Sequence, residues 1–158
     1  MSHEAKVDRP IELMRGALLP SEGRRATEAT TMRPGNEGRI DPESAYELFA
    51  RGRSMLAGGH PHQAVMLLSR AKLLEPEKAS IREALGRALY ACGRATRARR
   101  EFAKAVQLNP ADDYAHFALA LACERTGQRS RARGHAKLAV VLRPDVPDYV
   151  RVMERLSA

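Results

Sequence analysis

The sequence predicts an all-α fold, an α-α superhelix of three helix-turn-helix repeats closed by a C-terminal capping helix. Three observations lead there. Residues recur at a shift of 34 positions through most of the chain. Apolar residues fall at three- and four-residue spacing from Asp41 almost to the end, the period of amphipathic helices. Aromatics make up only 4% and Trp is absent, so the core must come from Ala, Leu, Val and Met. That palette suits closely packed helices better than a β-sandwich, which draws on β-branched and aromatic residues.

The elements follow in order. Residues 1–40 scatter Pro10, Pro20, Pro34 and four glycines among charges, with poor periodicity outside IELMRGALL (11–19). The expectation is a disordered or flexible N-terminal tail. Asp41-Pro42-Glu43 reads as a helix start, with an acid at the N-cap and Pro at the first helical position. Residues 41–158 then form one domain, with repeats at 45–78, 79–112 and 113–146.

The repeat is carried by columns. Gly59, Gly93 and Gly127 share the spacing, as do Pro76, Pro110 and Pro144, each with Leu two residues earlier. Ala64, Ala98 and Ala132 form another column, and Ala71, Ala105 and Ala139 another. Gly52, Gly86 and Ala120 complete the set. In the second unit, ASIREALGRALYACG is an amphipathic helix that Gly93 ends through a left-handed cap. RATRARREFAKAVQL is a second helix, and Pro110 breaks the chain before the next pair. PDYVRVMERL starts with Pro147 and has one apolar face, which fits a capping helix over 147–157.

These columns resemble the tetratricopeptide repeat, in which Leu-Gly, a Tyr or Leu, Ala, an aromatic, Ala and Pro recur in order. The second unit supplies Leu85-Gly86, Leu89, Ala98, Phe102, Ala105 and Pro110. Departures fall at Arg51, Arg82 and His116, and at Arg99 and Arg133, where the family usually has apolar residues. The resemblance implies a concave groove, lined by the first helix of each repeat, that holds a peptide. Carried onto this chain, the lining comprises Tyr46, Phe49, Arg53 and Leu56. Next come Ser80, Glu83, Arg87 and Tyr90, then Tyr114, Phe117, Leu121 and Glu124. Five of the chain's seven aromatics land there, beside arginines, as in interaction hot spots. The alternative is that individual rings seal gaps between helices. One family variant grips a chaperone's C-terminal carboxylate with Lys and Asn, but Phe49, Arg53, Ala84, Tyr114 and Ala118 stand at those places. That clamp is therefore not expected.

Charge separates the two regions. Residues 1–43 hold seven basic and eight acidic side chains, while the rest hold twenty and eleven, within a total of +8. The positive charge thus belongs to the helical part. Arg97, Arg100, Lys104, Arg131 and Lys137 are expected on the outer face of the second helices. A solvated face accounts for them; the alternative is contact with an acidic protein or a nucleic-acid backbone, which would be steeply salt-dependent.

Chemistry is sparse. No phosphate loop follows a strand, and no His-Glu-x-x-His is present. His60-Pro61-His62 reads as a polar turn, His116 as a partly buried packing residue, and Cys92 and Cys123 as buried thiols. Asp112-Asp113 suits a helix N-terminus. No catalytic residue, metal site or cofactor is expected, and the chain reads as cytoplasmic. The expected function is a non-enzymatic scaffold or adaptor binding a peptide in the groove.

Overall fold

The computed structural model describes residues 42–158. The N-terminal tail, its IELMRGALL segment and the Asp41 cap lie outside the described residues. Among the described residues there are seven helices and no strands. They are α1 (Ala45–Ala57), α2 (Pro61–Leu74), α3 (Ala79–Ala91), α4 (Ala95–Leu108), α5 (Asp113–Arg125), α6 (Arg129–Leu142) and α7 (Pro147–Ser157). They pair as α1/α2, α3/α4 and α5/α6, each pair stacks on the next, and α7 closes the end against α6.

The start of the first helix differs from the expected one. Pro42 precedes α1 rather than opening it, and Ser44 is the N-cap. Ser44 Oγ accepts from the Glu47 amide at 3.2 Å, and Glu47 Oε2 accepts from the Ser44 amide at 2.8 Å. This reciprocal capping box outcompetes Asp41-Pro42 because it satisfies two orphan donors at once.

Each first helix ends in the same way. Gly59, Gly93 and Gly127 have φ of 80°, 76° and 77°, in the left-handed region that costs glycine nothing. The chain then folds back on the helix it has left. In the second repeat the Gly93 amide donates to Tyr90 O and the Arg94 amide to Leu89 O, both at 2.9 Å. Gly59 with His60, and Gly127 with Gln128, repeat the pattern. These Schellman closures satisfy helix-end carbonyls and set the angle at which each second helix departs.

Within a pair, a small residue on the first helix faces a large one on the second. A Cβ on Gly86 would stand 2.6 Å from the Phe102 ring, and one on Gly52 would stand 2.6 Å from Leu68 Cγ. Phe102 and Leu68 are fully buried by this approach. The third repeat solves the same columns with Ala120 and Ala136, both buried. The alanine columns at Ala64, Ala98, Ala132, Ala71, Ala105 and Ala139 are all sealed from solvent. With so few large side chains, the core obtains its density from close backbones.

The capping helix buries Tyr149, Val152 and Leu156, with Met153 half-buried. Tyr149 stacks on Phe117 at 4.7 Å between centroids and donates its hydroxyl proton to Asp113 Oδ2 at 2.8 Å.

Gly86→Ala is expected to destabilise the domain by about 1–3 kcal/mol through overpacking against Phe102. Combining it with Phe102→Ala, which reproduces the Ala120/Ala136 pair, should cost less than the sum of the two single changes. Urea denaturation followed by helical circular dichroism measures both, and strict additivity would contradict the contact.

Candidate functional site

The first helices α1, α3 and α5 touch one another directly across the repeats and form one continuous face. The expected lining residues divide sharply by repeat. Tyr46 is 70% exposed, Arg53 is exposed, and Phe49 and Leu56 are half-buried. Arg53 lays its guanidinium over the Phe49 ring, 5.6 Å from the centroid. The first repeat therefore presents an aromatic and cationic surface.

Deeper in the stack the expected exposure is corrected. Tyr90, Phe117 and Leu121 are 1–2% exposed and belong to the core. Their positions lie where the following repeat, or α7, packs over the preceding one. Phe117 is covered by Tyr149, and Tyr90 lies beneath the Arg125 guanidinium at 5.2 Å. Tyr46 and its counterpart one repeat later, Ser80, are both exposed. The alternative in which rings seal gaps between helices thus holds for Tyr90 and Phe117.

Between these extremes sits a polar cluster. Arg87 is 9% exposed, donates to Glu83 Oε1 at 3.2 Å and stacks over the half-buried Tyr114 ring at 5.4 Å. Arg87 Nη2 and the Tyr114 hydroxyl are buried without a hydrogen-bond partner. Burial raises the Glu83 carboxyl above its ordinary value, partly opposed by Arg87. Burial likewise pushes the Tyr114 phenol well above its ordinary value. Each orphaned polar group costs about 1–3 kcal/mol, comparable with the ~2 kcal/mol that a desolvated cation–π contact returns. At the far end, Glu124 is bridged to Arg155 of α7 at 2.9 Å.

The expected outer cations are placed unequally. Arg97, Arg100, Arg131 and Lys137 are exposed. Lys104 is half-buried and ion-paired to Glu77 at 3.0 Å, so it is not a free cation. Arg133 is exposed, whereas Arg99 is half-buried with Nη1 sealed and unpartnered. Cys92 is half-buried rather than buried, with its sulfur 3.6 Å from His62 Nδ1. Pro61 opens α2 and His62 lies in its first turn, so the His-Pro-His stretch is only partly a turn. Among the described residues no group of three or more His, Cys, Asp or Glu converges. No described helix is long and apolar enough to cross a membrane.

The departures at Arg82 and His116 have a shared solution that the sequence did not reveal. Arg82 Nε donates to Pro76 O at 2.8 Å, and His116 Nε2 reaches Pro110 O at 3.0 Å, one repeat later. Their second partners also correspond. Arg82 pairs with Glu101 at 2.9 Å, and His116 Nδ1 meets His135 Nδ1 at 3.1 Å. In the first repeat the same two columns hold Leu48 and Leu67, packed in one apolar cluster. Glu101 takes a further bond from Lys72 of α2 at 2.8 Å, joining three helices. The signal was available as a covarying column: Leu/Leu, Arg/Glu, His/His.

The bond to Pro110 O requires a proton on His116 Nε2, since a carbonyl only accepts. A neutral His116 then accepts at Nδ1 from His135 Nδ1–H. Burial, His116 and Arg131 depress His135 below the ordinary imidazole value of 6.5. Its folded pKa lies below its unfolded one, so its stabilisation is complete above the unfolded value. It is lost as pH falls through the folded one. Wild type should therefore lose about 2–5 °C of Tm, relative to His116→Leu/His135→Leu, between pH 7 and roughly pH 5. The double variant reproduces the first repeat's apolar pair. Parallel melting curves across that window would contradict the assignment.

The comparisons agree with this geometry. A family model described as TPR repeat, the tetratricopeptide repeat, matches residues 86–127. The first tetratricopeptide domain of Spaghetti (RPAP3), solved bound to an HSP90 peptide, is 16% identical at a TM-score of 0.70. It covers 75% of this chain and 94% of that one. MamA is 20% identical at 0.70, covering 73% and 68%. The second such domain of human RPAP3, solved in complex with an HSP70 peptide, is 16% identical at 0.68, covering 72% and 95%. No curated protein matches the sequence. Residues 86–127 match the tetratricopeptide repeat, and the described residues have the fold of that class.

Proposed function

We propose that this chain is a non-enzymatic adaptor that binds a peptide segment on the first-helix face, anchored at the first repeat. The observation that carries this reading is the exposed Tyr46 beside the Arg53–Phe49 stack, followed by the partly unsatisfied Glu83–Arg87–Tyr114 cluster. Aromatic and arginine anchors on an otherwise alanine-built scaffold are the residue types that dominate interface energetics. The two RPAP3 domains with the same fold hold chaperone peptides. Here, Phe49 and Tyr114 stand where the carboxylate-gripping variant would have lysine, so the favoured ligand differs. It is a segment with an apolar or aromatic side chain to lie against Tyr46, Phe49 and Leu56. Backbone carbonyls or an acidic side chain would meet Arg53.

The buried rings make poor test positions, because removing Tyr90 or Phe117 would empty the core. Tyr46→Ala with Arg53→Ala is suitable, since both side chains are exposed. Affinity purification from the native host would identify a binding segment, whose synthetic peptide is then titrated by calorimetry. The double variant should keep its Tm and bind at least about thirtyfold more weakly, the effect of a ~2 kcal/mol hot spot. Unchanged affinity would exclude this face.

A further inference from the structure

An open recess of about 380 Å³ lies between the α3–α4 turn and the C-terminal end of α5. Its lining is Gly93, Arg94, Ala95, Thr96, Arg97, Arg125 and Thr126. Three of these seven residues are arginines, and no acid is among them. None of Arg94, Arg97 and Arg125 forms an ion pair among the described residues. Arg125 is held in place by stacking on Tyr90. Three like charges around one recess repel one another, and a bound anion would cancel that repulsion.

The backbone adds to this. Ala95, Thr96 and Arg97 are the first three residues of α4, and the N-cap Arg94 makes no side-chain capping bond. Their amides have no partner within the helix and carry its partial positive charge. The arrangement is not a property of the repeat. One repeat earlier, His60, Gln63 and Ala91 occupy the places of Arg94, Arg97 and Arg125, and His62 and Cys92 sit in contact there.

We propose that this recess binds a phosphate monoester. Arg94, Arg97 and Arg125 would supply forked donors, with the α4 amides and the Thr96 hydroxyl completing the shell. Guanidinium forks match phosphate oxygens in pairs. A monoester carries about −1.5 to −2 charges, enough to answer three cations, where a carboxylate or a nucleic-acid diester brings one. A nucleic-acid backbone would also need a stripe of contacts. Of the five cations expected on the outer face of the second helices, only Arg97 lines the recess.

The test is an amide NMR titration of the full chain at constant ionic strength, with inorganic phosphate, phosphoserine and dimethyl phosphate as probes. Saturable shifts centred on Ala95, Thr96 and Arg97 are expected with the first two. The diester should bind at least roughly tenfold more weakly, and Arg97→Gln/Arg125→Gln should weaken phosphate by a similar factor. Circular dichroism checks that this variant remains folded. Tyr46→Ala/Arg53→Ala should leave phosphate binding unchanged, which separates this site from the peptide-binding face. Tighter binding of phosphoserine than of inorganic phosphate would assign the group to a modified partner chain. The reverse would assign it to a free anion. The proposal is overturned by non-saturating shifts spread over all basic residues. It is equally overturned if the diester binds as tightly, or if the double variant binds phosphate like wild type.

Discussion

The close approach of two backbones inside each helix pair is the constraint on which the rest depends. Gly52 and Gly86 admit Leu68 and Phe102 to positions that a single methyl group would block. The second helix can only reach that position because the chain reverses through a left-handed glycine, at Gly59, Gly93 and Gly127. These two requirements interlock. The Schellman closure sets the departure angle, and the glycine-to-ring contact rewards that angle with dense packing. In a chain with three Phe and no Trp, burial alone has few large side chains to work with. Close-set helices make up the difference by bringing alanine columns into contact.

That logic made much of the fold legible in the sequence. Glycines, prolines and alanines are read by backbone geometry, and backbone geometry is common to every repeat. Gly93 at φ 76°, Phe102 at full burial and the helix opened by Pro147 all follow from spacing. The first helix start was less legible. Asp41-Pro42 and Ser44-Ala45-Tyr46-Glu47 are competing caps three residues apart, and only the reciprocal bonds of the second distinguish them.

The candidate site was legible in position and not in exposure. The first-helix columns point toward one face, but whether a ring on that face meets solvent depends on the element stacked beyond it. Phe49 and Phe117 share a column, yet Phe49 is half-buried whereas Phe117 is covered by Tyr149 of the capping helix. Column position cannot distinguish them, since the difference arises from the ends of the stack. The recess beside α4 escaped the sequence for a related reason. Arg94 and Arg97 belong to one repeat and Arg125 to the next, so their convergence exists only after stacking.

The polar seam shows how such a stack acquires individuality without loss of fold. The Leu48/Leu67, Arg82/Glu101 and His116/His135 pairs occupy the same two columns. An apolar contact, an ion pair and an imidazole pair are accepted in turn because the architecture is maintained elsewhere, by glycine turns and alanine seams. The pairs are not equivalent in consequence. The leucines are indifferent to salt and pH, the ion pair is half-shielded from salt, and His135 of the imidazole pair responds to pH. Repeats that look alike in backbone are thus coupled to different solution variables. In a quasi-one-dimensional stack, stability is a sum over units and their interfaces. Acidification therefore acts on the third repeat, through His135 between α5 and α6, while the exposed aromatic face of the first repeat keeps its support.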